Sequence, residues 1–362
     1  MTKSPLHNIQ QGAGAAFLRL FGWEIAATFG DGSAEYQAAR HGAALLDRSY
    51  VARFRVTGKD ALDLLNRLSS NKVDVLPFGT GAGTVLPTSK GRVIDLIHLF
   101  ATDDHVLMLT SPQTRQQVPE WIDTYTFLEE VTLDDVTEHT AMITVLGPQA
   151  TALLERVAET PVAQLEPYGS VHVLIHGVPA ILLRTDPIGS RGYDLITSAA
   201  QGEALWLALA APGTGATPIG EAAYNALRVE AGVPRYGWEL SEEVNPWEVN
   251  LHPFISFTKG CYTGQEVILR LYNYDKIQRQ LASVAFSTEE VAEGATLRHG
   301  DKEAGKVTSV ARHPGTGKAI GLVTVRSAFA APSSELEVVS VQGDAVAMAT
   351  VLGTPASVAA PA

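Results

Sequence analysis

Two hydrophobic periods organise the chain. Tyr36, Ala39, Ala43 and Leu46 recur at helical spacing and predict a helix over 36–46 that closes at Asp47-Arg48-Ser49. Val51 to Val56 alternates apolar and polar, as a half-buried strand does. Gly58-Lys59-Asp60 then opens an amphipathic helix through Leu62, Leu65 and Leu68. Thr84 to Leu86, Val93 to Phe100 and Val106 to Thr110 read as strands, the first two joined by the turn Ser89-Lys90-Gly91-Arg92, and residues 112–123 read as helical. A second α+β stretch begins near Thr140 with the strand Met142 to Leu146, the break Gly147-Pro148 and a helix from Gln149. Val171 to Ile175 and Ala180 to Arg184 form a hairpin across His176-Gly177-Val178-Pro179, and Tyr193 to Thr197 is a further strand. Helices follow at 200–210 and 219–231, the second ended by Gly232-Val233-Pro234. From Gln280 the pattern changes to short strands (281–286, 303–311, 318–326 and 335–351) punctuated by Gly, His and Pro, which predicts a small barrel or sandwich. The Ala/Pro-rich stretch 353–362 is expected to be disordered.

Strands interleaved with hairpins and helices indicate an α+β class rather than a doubly wound sheet. At 362 residues, two or three domains are expected, and 46% hydrophobic with 18% charged residues is a globular composition. The net charge of −12 argues against a broad nucleic-acid face, which needs clustered cations, but leaves room for a small basic pocket. Cys261 is the single cysteine, so neither an intrachain disulfide nor a zinc cluster is expected, and no metal site is assigned. No apolar run is long enough for a bilayer, no secretion signal is evident, and a cytoplasmic setting is expected.

Candidate chemistry lies in four places. Lys259-Gly260-Cys261-Tyr262-Thr263-Gly264-Gln265-Glu266 brackets the thiol with two glycines just before a helix. A thiol there, beside a lysine, would be a reactive thiolate; the alternative is a buried small hydrophobe in a glycine turn. Arg228, between Leu227 and Val229, could clamp a carboxylate or an anionic ring edge, or form a surface ion pair. Asp95 interrupts the apolar run Val93-Ile94-Asp95-Leu96-Ile97, as a buried functional carboxylate or as a solvent-facing edge residue. Gly79-Thr80-Gly81-Ala82-Gly83 lacks phosphate-cradle spacing and reads as a plain loop.

Taken together, these stretches resemble the glycine-cleavage T-protein/YgfZ superfamily over nearly the whole chain. Ser4-Pro5-Leu6-His7, Phe21-Gly22-Trp23-Glu24 and Asp47-Arg48-Ser49 look like the aminomethyltransferase N-terminus. Gly147-Pro148 and Leu227-Arg228-Val229-Glu230-Ala231-Gly232 recur across the superfamily, and the 259–266 run looks like the signature of its YgfZ/Iba-type branch. The resemblance implies a three-domain cloverleaf around a central folate cavity. Residues 1–48 plus 138–275 would form a discontinuous folate-binding domain, 49–137 a ferredoxin-like domain and 280–352 a C-terminal β-barrel.

It also implies that Arg228 contacts folate and that Asp194 and Tyr193 bind the cofactor, Asp194 standing where the transferase uses a glutamate on the pterin. The family's catalytic aspartate is the second of an Asp-Asp pair; here Asp95 keeps the first position and Leu96 occupies the second. The reading that follows is a tetrahydrofolate-binding YgfZ-type protein that supports maturation or repair of iron–sulfur client proteins, and tRNA modification, with Cys261 at the cavity mouth. Its alternatives are a tetrahydrofolate-dependent aminomethyltransferase or methyltransferase using Asp95, and a non-catalytic protein-interaction scaffold. Neither direct nucleic-acid binding nor membrane association is expected.

Overall fold

A computed structural model describes every residue except 275, 315, 341, 342 and 356–362. The chain divides into two compact units, one built from Met1–Thr84 and Leu96–Tyr224, the other from Val85–Asp95 and the chain from Asn225 onward.

The first unit centres on a six-stranded sheet in the order Ser170–Ile175, Val178–Arg184, Gly192–Ser198, Thr140–Leu146, Ala43–Asp47, Ala216–Pro218. Alternation sorts its side chains between two faces. Leu45, Ile143, Val145, Tyr193 and Leu195 join Leu153, Leu154, Leu205 and Trp206 of the helices Ala150–Val157 and Gly202–Leu209 in one apolar core. The opposite face therefore carries the alternate residues, and the register sets Thr144 directly across from both Leu46 and Asp194.

Gly42 separates the helix Gly32–His41 from the strand Ala43–Asp47, so the helix expected over 36–46 is cut short. Ala44, Leu45 and Leu46 are almost wholly enclosed between neighbouring strands, and burial on both faces overrides the helical spacing of Ala43 and Leu46. A three-stranded sheet of Thr2–Lys3, Trp23–Thr28 and Ala16–Leu20 precedes this region. Phe21 and Gly22 both take positive φ and close its hairpin.

A five-stranded sheet runs in the order Gly81–Pro87, Val93–Ala101, Val106–Thr110, Ala52–Thr57, Thr132–Asp135. The expected 79–83 loop is thus partly strand. A Cβ on Gly81 would stand 2.2 Å from the Leu99 carbonyl oxygen, so glycine serves close strand contact there. The 170–184 hairpin turns on His176 and Gly177 alone, both at positive φ, because Ile175 pairs with Val178. The helix expected from 112 begins with a short 3₁₀ turn, Pro112–Thr114, and becomes α-helical at Gln117–Thr124.

In the second unit, Arg279–Phe286, Ala319–Arg326, Lys302–Arg312, Thr296–His299, Glu335–Val339 and Ala345–Gly353 close into a barrel in that order. Val284, Phe286, Leu297, Val307, Val323 and Leu336 fill it. The expected 335–351 strand is two strands, and Thr296–His299 was too short to read from its pattern. Most of the expected disordered stretch 353–362 lies outside the described residues. No helix among the described residues is long and apolar enough to cross a membrane.

Candidate functional site

Two polar clusters interrupt otherwise apolar surroundings, one in each unit. In the first unit the strand Ala43–Asp47 ends in a corner pinned by Asp47. Its carboxylate accepts hydrogen bonds from the Ser4 hydroxyl, from Gln10 Nε2 at 3.1 Å and from the Ser49 N–H at 2.9 Å. Burial raises the Asp47 pKa, opposed by these bonds. Arg48 leaves the corner with its N–H held by the Met142 carbonyl at 2.9 Å and its guanidinium beside Asp194, with Nη1 3.6 Å from Oδ2.

Asp194 is almost completely enclosed. Thr144, its cross-strand partner, donates its hydroxyl to Oδ1, and Thr185 donates to Oδ2 at 2.6 Å. The Arg48 guanidinium also lies over the Tyr224 ring, 5.6 Å from its centroid. Burial alone would lower the Arg48 pKa, but Tyr224, Asp194, Tyr50 and Glu221 more than reverse this and hold the guanidinium charged. Its Nε is buried, and no acceptor among the described residues reaches it.

Close by, His98 Nδ1 and the Tyr168 hydroxyl are 2.9 Å apart. Burial, followed by the Arg48 charge, pushes the imidazole down to about 4, so it is neutral at physiological pH. Burial, and then the charge of Asp186, drives the Tyr168 pKa up. Tyr50 donates to Glu221 at 3.2 Å and lies 5.4 Å from the Phe21 ring. Tyr193 faces the opposite side of the sheet from Asp194; it packs in the core, with its hydroxyl 2.8 Å from Thr151 Oγ1.

In the second unit Arg228 is 2% exposed and takes part in a closed network. Its nitrogens meet Glu239 at 2.9 Å, Asn225 at 2.8 Å, Ser309 at 2.7 Å and the Val233 carbonyl at 3.5 Å. Glu239 also accepts from the Ser309 hydroxyl and from the Arg235 N–H at 3.0 Å. The ion pair is therefore a buried one rather than the surface pair considered from sequence. Asp95 is fully buried in the strand Val93–Ala101, which removes the solvent-facing alternative. Its charge reaches Tyr236, whose pKa is raised first by burial and then by Asp95 and Glu242.

Cys261 is exposed, which removes the buried-hydrophobe alternative. The loop around it is shaped by Gly264, which caps the helix Gln265–Asn273 at φ +77°. A Cβ there would lie 2.4 Å from the Thr88 carbonyl oxygen, so the loop docks on the 88–91 turn only with glycine at this position. Lys259 Nζ sits 5.0 Å from the Tyr262 ring centroid, and burial pushes the Tyr262 phenol up to about 12. Among the described residues no group of three or more His, Cys, Asp or Glu side chains is arranged to hold a metal ion.

Arg48, His98, Tyr224 and Glu239 were not singled out from sequence as site residues. The available signal was Arg48 itself, a cation at the end of the apolar run Ala43-Ala44-Leu45-Leu46.

The mixed α+β first unit and the closed six-stranded barrel define the class: an aminomethyltransferase-type fold with buried polar clusters in both units. The GCVT N-terminal domain matches residues 6–259, and the glycine cleavage T-protein C-terminal barrel domain matches residues 279–356. The aminomethyltransferase of Symbiobacterium thermophilum is 30% identical, covering 98% of this chain and 97% of that one. The aminomethyltransferase of Shouchella clausii is 29% identical over 93% of both. A putative chloroplastic transferase of Arabidopsis thaliana is 30% identical over 79% of this chain and 66% of its own length. The crystal structure of the glycine cleavage system aminomethyltransferase T of Bartonella henselae superposes with a TM-score of 0.86 at 20% identity, covering 98% of this chain and 97% of that one, a likeness of fold. The chain belongs to the glycine cleavage T-protein family.

Proposed function

We propose that this protein binds tetrahydrofolate and works as a folate-dependent one-carbon transferase of the aminomethyltransferase kind, in the cytoplasm. The observation that carries the reading is Asp95, a carboxylate wholly buried within a strand of a chain whose full-length relatives bear the name aminomethyltransferase. Keeping a carboxylate out of water is costly, and the expense is justified where positive charge must be stabilised.

The residues present fit a reduced folate: Arg48 keeps a buried donor with no acceptor among the described residues, in aromatic surroundings. Tetrahydrofolate supplies the nucleophilic nitrogen that takes up the one-carbon unit. Asp95 would offset positive charge developing at that nitrogen, and the Tyr236 phenol, kept protonated beside it, can donate a hydrogen bond. The resemblance assigns Arg228 to cofactor binding, where it would act as a rigidly held cation within its Glu239 network. The test is twofold. Calorimetric titration with tetrahydrofolate should show binding, and Asp95→Asn should abolish formation of methylenetetrahydrofolate while leaving that binding in place. A wild type that binds folate without turnover rejects the transferase assignment.

A second reading is favoured by a separate observation. Leu96 stands at the second position of the family's Asp-Asp pair, and Cys261 is exposed within the 259–266 run. Both features support a YgfZ-type role, in which folate binding serves iron–sulfur client proteins or tRNA modification without aminomethyl transfer. One thiol cannot anchor a cluster, so Cys261 would act on a partner or by redox exchange. Folate binding without turnover, combined with loss of client enzyme activity in a Cys261→Ser strain, favours this reading. Absence of folate binding leaves the interaction scaffold.

A further inference from the structure

We propose that Arg48 is the residue of the first unit that touches the bound ring, reading the 4-oxo edge of the pteridine, and that Asp194 is a positioning residue that holds Arg48 in place. The inference rests on the folate reading above and assigns the polar recognition within it.

Unsatisfied hydrogen-bonding capacity distinguishes the two side chains. Asp194 is 1% exposed, and its two oxygens already take the hydroxyls of Thr144 and Thr185. Its remaining contact is the Arg48 guanidinium at 3.6 Å, an ionic approach longer than a hydrogen bond. Arg48 is the reverse case. Its side chain is 18% exposed, its Nε is buried with no acceptor among the described residues, and a guanidinium presents five N–H donors in a planar fork. A buried donor left unpaired costs free energy that an acceptor on a ligand recovers. Each Asp194 oxygen therefore already accepts a hydroxyl inside the protein and is closed off from solvent, whereas the cation beside it keeps a buried donor with no acceptor among the described residues.

Charge and shape select the acceptor. Asp194 and Glu221 both place negative potential on Arg48, so a ligand carboxylate or phosphate would approach against two fixed carboxylates. A neutral carbonyl oxygen meets no such opposition. His98, neutral and bonded to Tyr168, adds no competing cation. The Tyr224 ring against the guanidinium, with the Tyr50 and Phe21 rings tilted at 38° to each other nearby, gives aromatic surroundings that suit a flat heterocycle. A pteridine bearing a ring oxo group satisfies these conditions, and its 4-amino counterpart puts a donor where Arg48 needs an acceptor.

The test measures the affinity of the full-length protein for tetrahydrofolate, for its 4-amino analogue tetrahydroaminopterin, and for a tetrahydropterin lacking the glutamate tail. Wild type should prefer the 4-oxo ligand roughly tenfold or more, since a hydrogen bond from a charged donor discriminates at about that level. Arg48→Met should lose that affinity and bind the 4-oxo and 4-amino ligands alike. Arg48→Lys, which keeps the charge but not the fork, should retain only part of the preference, and it is the variant read if Arg48→Met does not fold by circular dichroism. Asp194→Asn should weaken both ligands by a common factor while preserving the preference, as expected when the guanidinium is merely less well held. An unchanged preference in the Arg48 variants overturns the inference while leaving folate binding standing. So does a loss confined to the tailed ligands, which would place the acceptor on the glutamate carboxylates. Failure of the wild type to bind any of the three refutes the folate reading, and this inference with it.

Discussion

The Arg228–Glu239 pair gives the sharpest test of how the second unit is held together. Both partners are essentially without solvent contact, at 2% and 0% exposure, and are 2.9 Å apart. Glu239→Gln preserves the shape of the side chain but removes its charge and turns one of its two acceptor oxygens into a donor, so the Arg228 guanidinium remains buried without its counter-charge. Breaking such a pair on one side costs about 3–5 kcal/mol, mostly the penalty of the orphaned charge rather than the worth of the attraction. Asn225, Ser309 and the Val233 carbonyl still accept from Arg228, which places the expected loss near the lower end, about 3 kcal/mol.

Native-state hydrogen exchange on the barrel strand Lys302–Arg312, which carries Ser309, localises the effect to this unit. At about 1.4 kcal/mol per tenfold change, exchange governed by unfolding should accelerate about a hundredfold. The companion variant Arg228→Met/Glu239→Leu, which removes both charges and fills the space with apolar atoms, should recover most of the loss. A Glu239→Gln cost below about 1 kcal/mol, or a double variant no more stable than the single one, would refute the reasoning.

Three further outcomes follow from individual side chains. The His98 value near 4 lies below the ordinary 6.5, so the unfolded chain takes the proton first; the contribution to stability is complete above pH 6.5 and is lost as pH falls toward 4. That loss amounts to at most about 3 kcal/mol, reduced by the residual exposure of His98. Urea unfolding across this range should show a flatter pH dependence in His98→Asn, and an unaltered slope would contradict the assignment. Gly264→Ala sets a Cβ at positive φ and 2.4 Å from a backbone oxygen, so a loss of about 1–3 kcal/mol is expected, read as a lower urea midpoint. Cys261 should react with a thiol reagent in the native protein, one equivalent per chain; labelling only after denaturation would contradict its exposure.

The amino-acid pattern alone carried the class of fold and most of its elements. Short apolar runs bounded by turn residues marked the strands Val93–Ala101, Val106–Thr110 and Gly192–Ser198, and short Gly-punctuated strands marked the barrel, because side-chain polarity and turn chemistry are local properties. Local patterning failed where burial on both faces or close backbone contact decides. Ala43–Asp47 carries helical spacing yet is enclosed between strands, and Gly81 reads as a loop glycine yet serves a tight strand contact.

The candidate site was legible as residue types and not as relationships. Arg228 and Asp95 stood out because charged groups among apolar neighbours require an explanation, Cys261 as the single thiol between two glycines, and Asp194 only through the family resemblance. Partners that lie far along the chain complete them: Ser309 for Arg228, Thr144 and Arg48 for Asp194, with Glu239 and Thr185 nearer in sequence but across a turn of the chain. Which donor is satisfied and which is left over depends on cross-strand register and on distances of a few ångströms. No one-dimensional pattern encodes these, and only the tertiary structure separates the enclosed carboxylate, with a hydroxyl on each oxygen, from the guanidinium beside it that keeps a buried donor with no acceptor among the described residues.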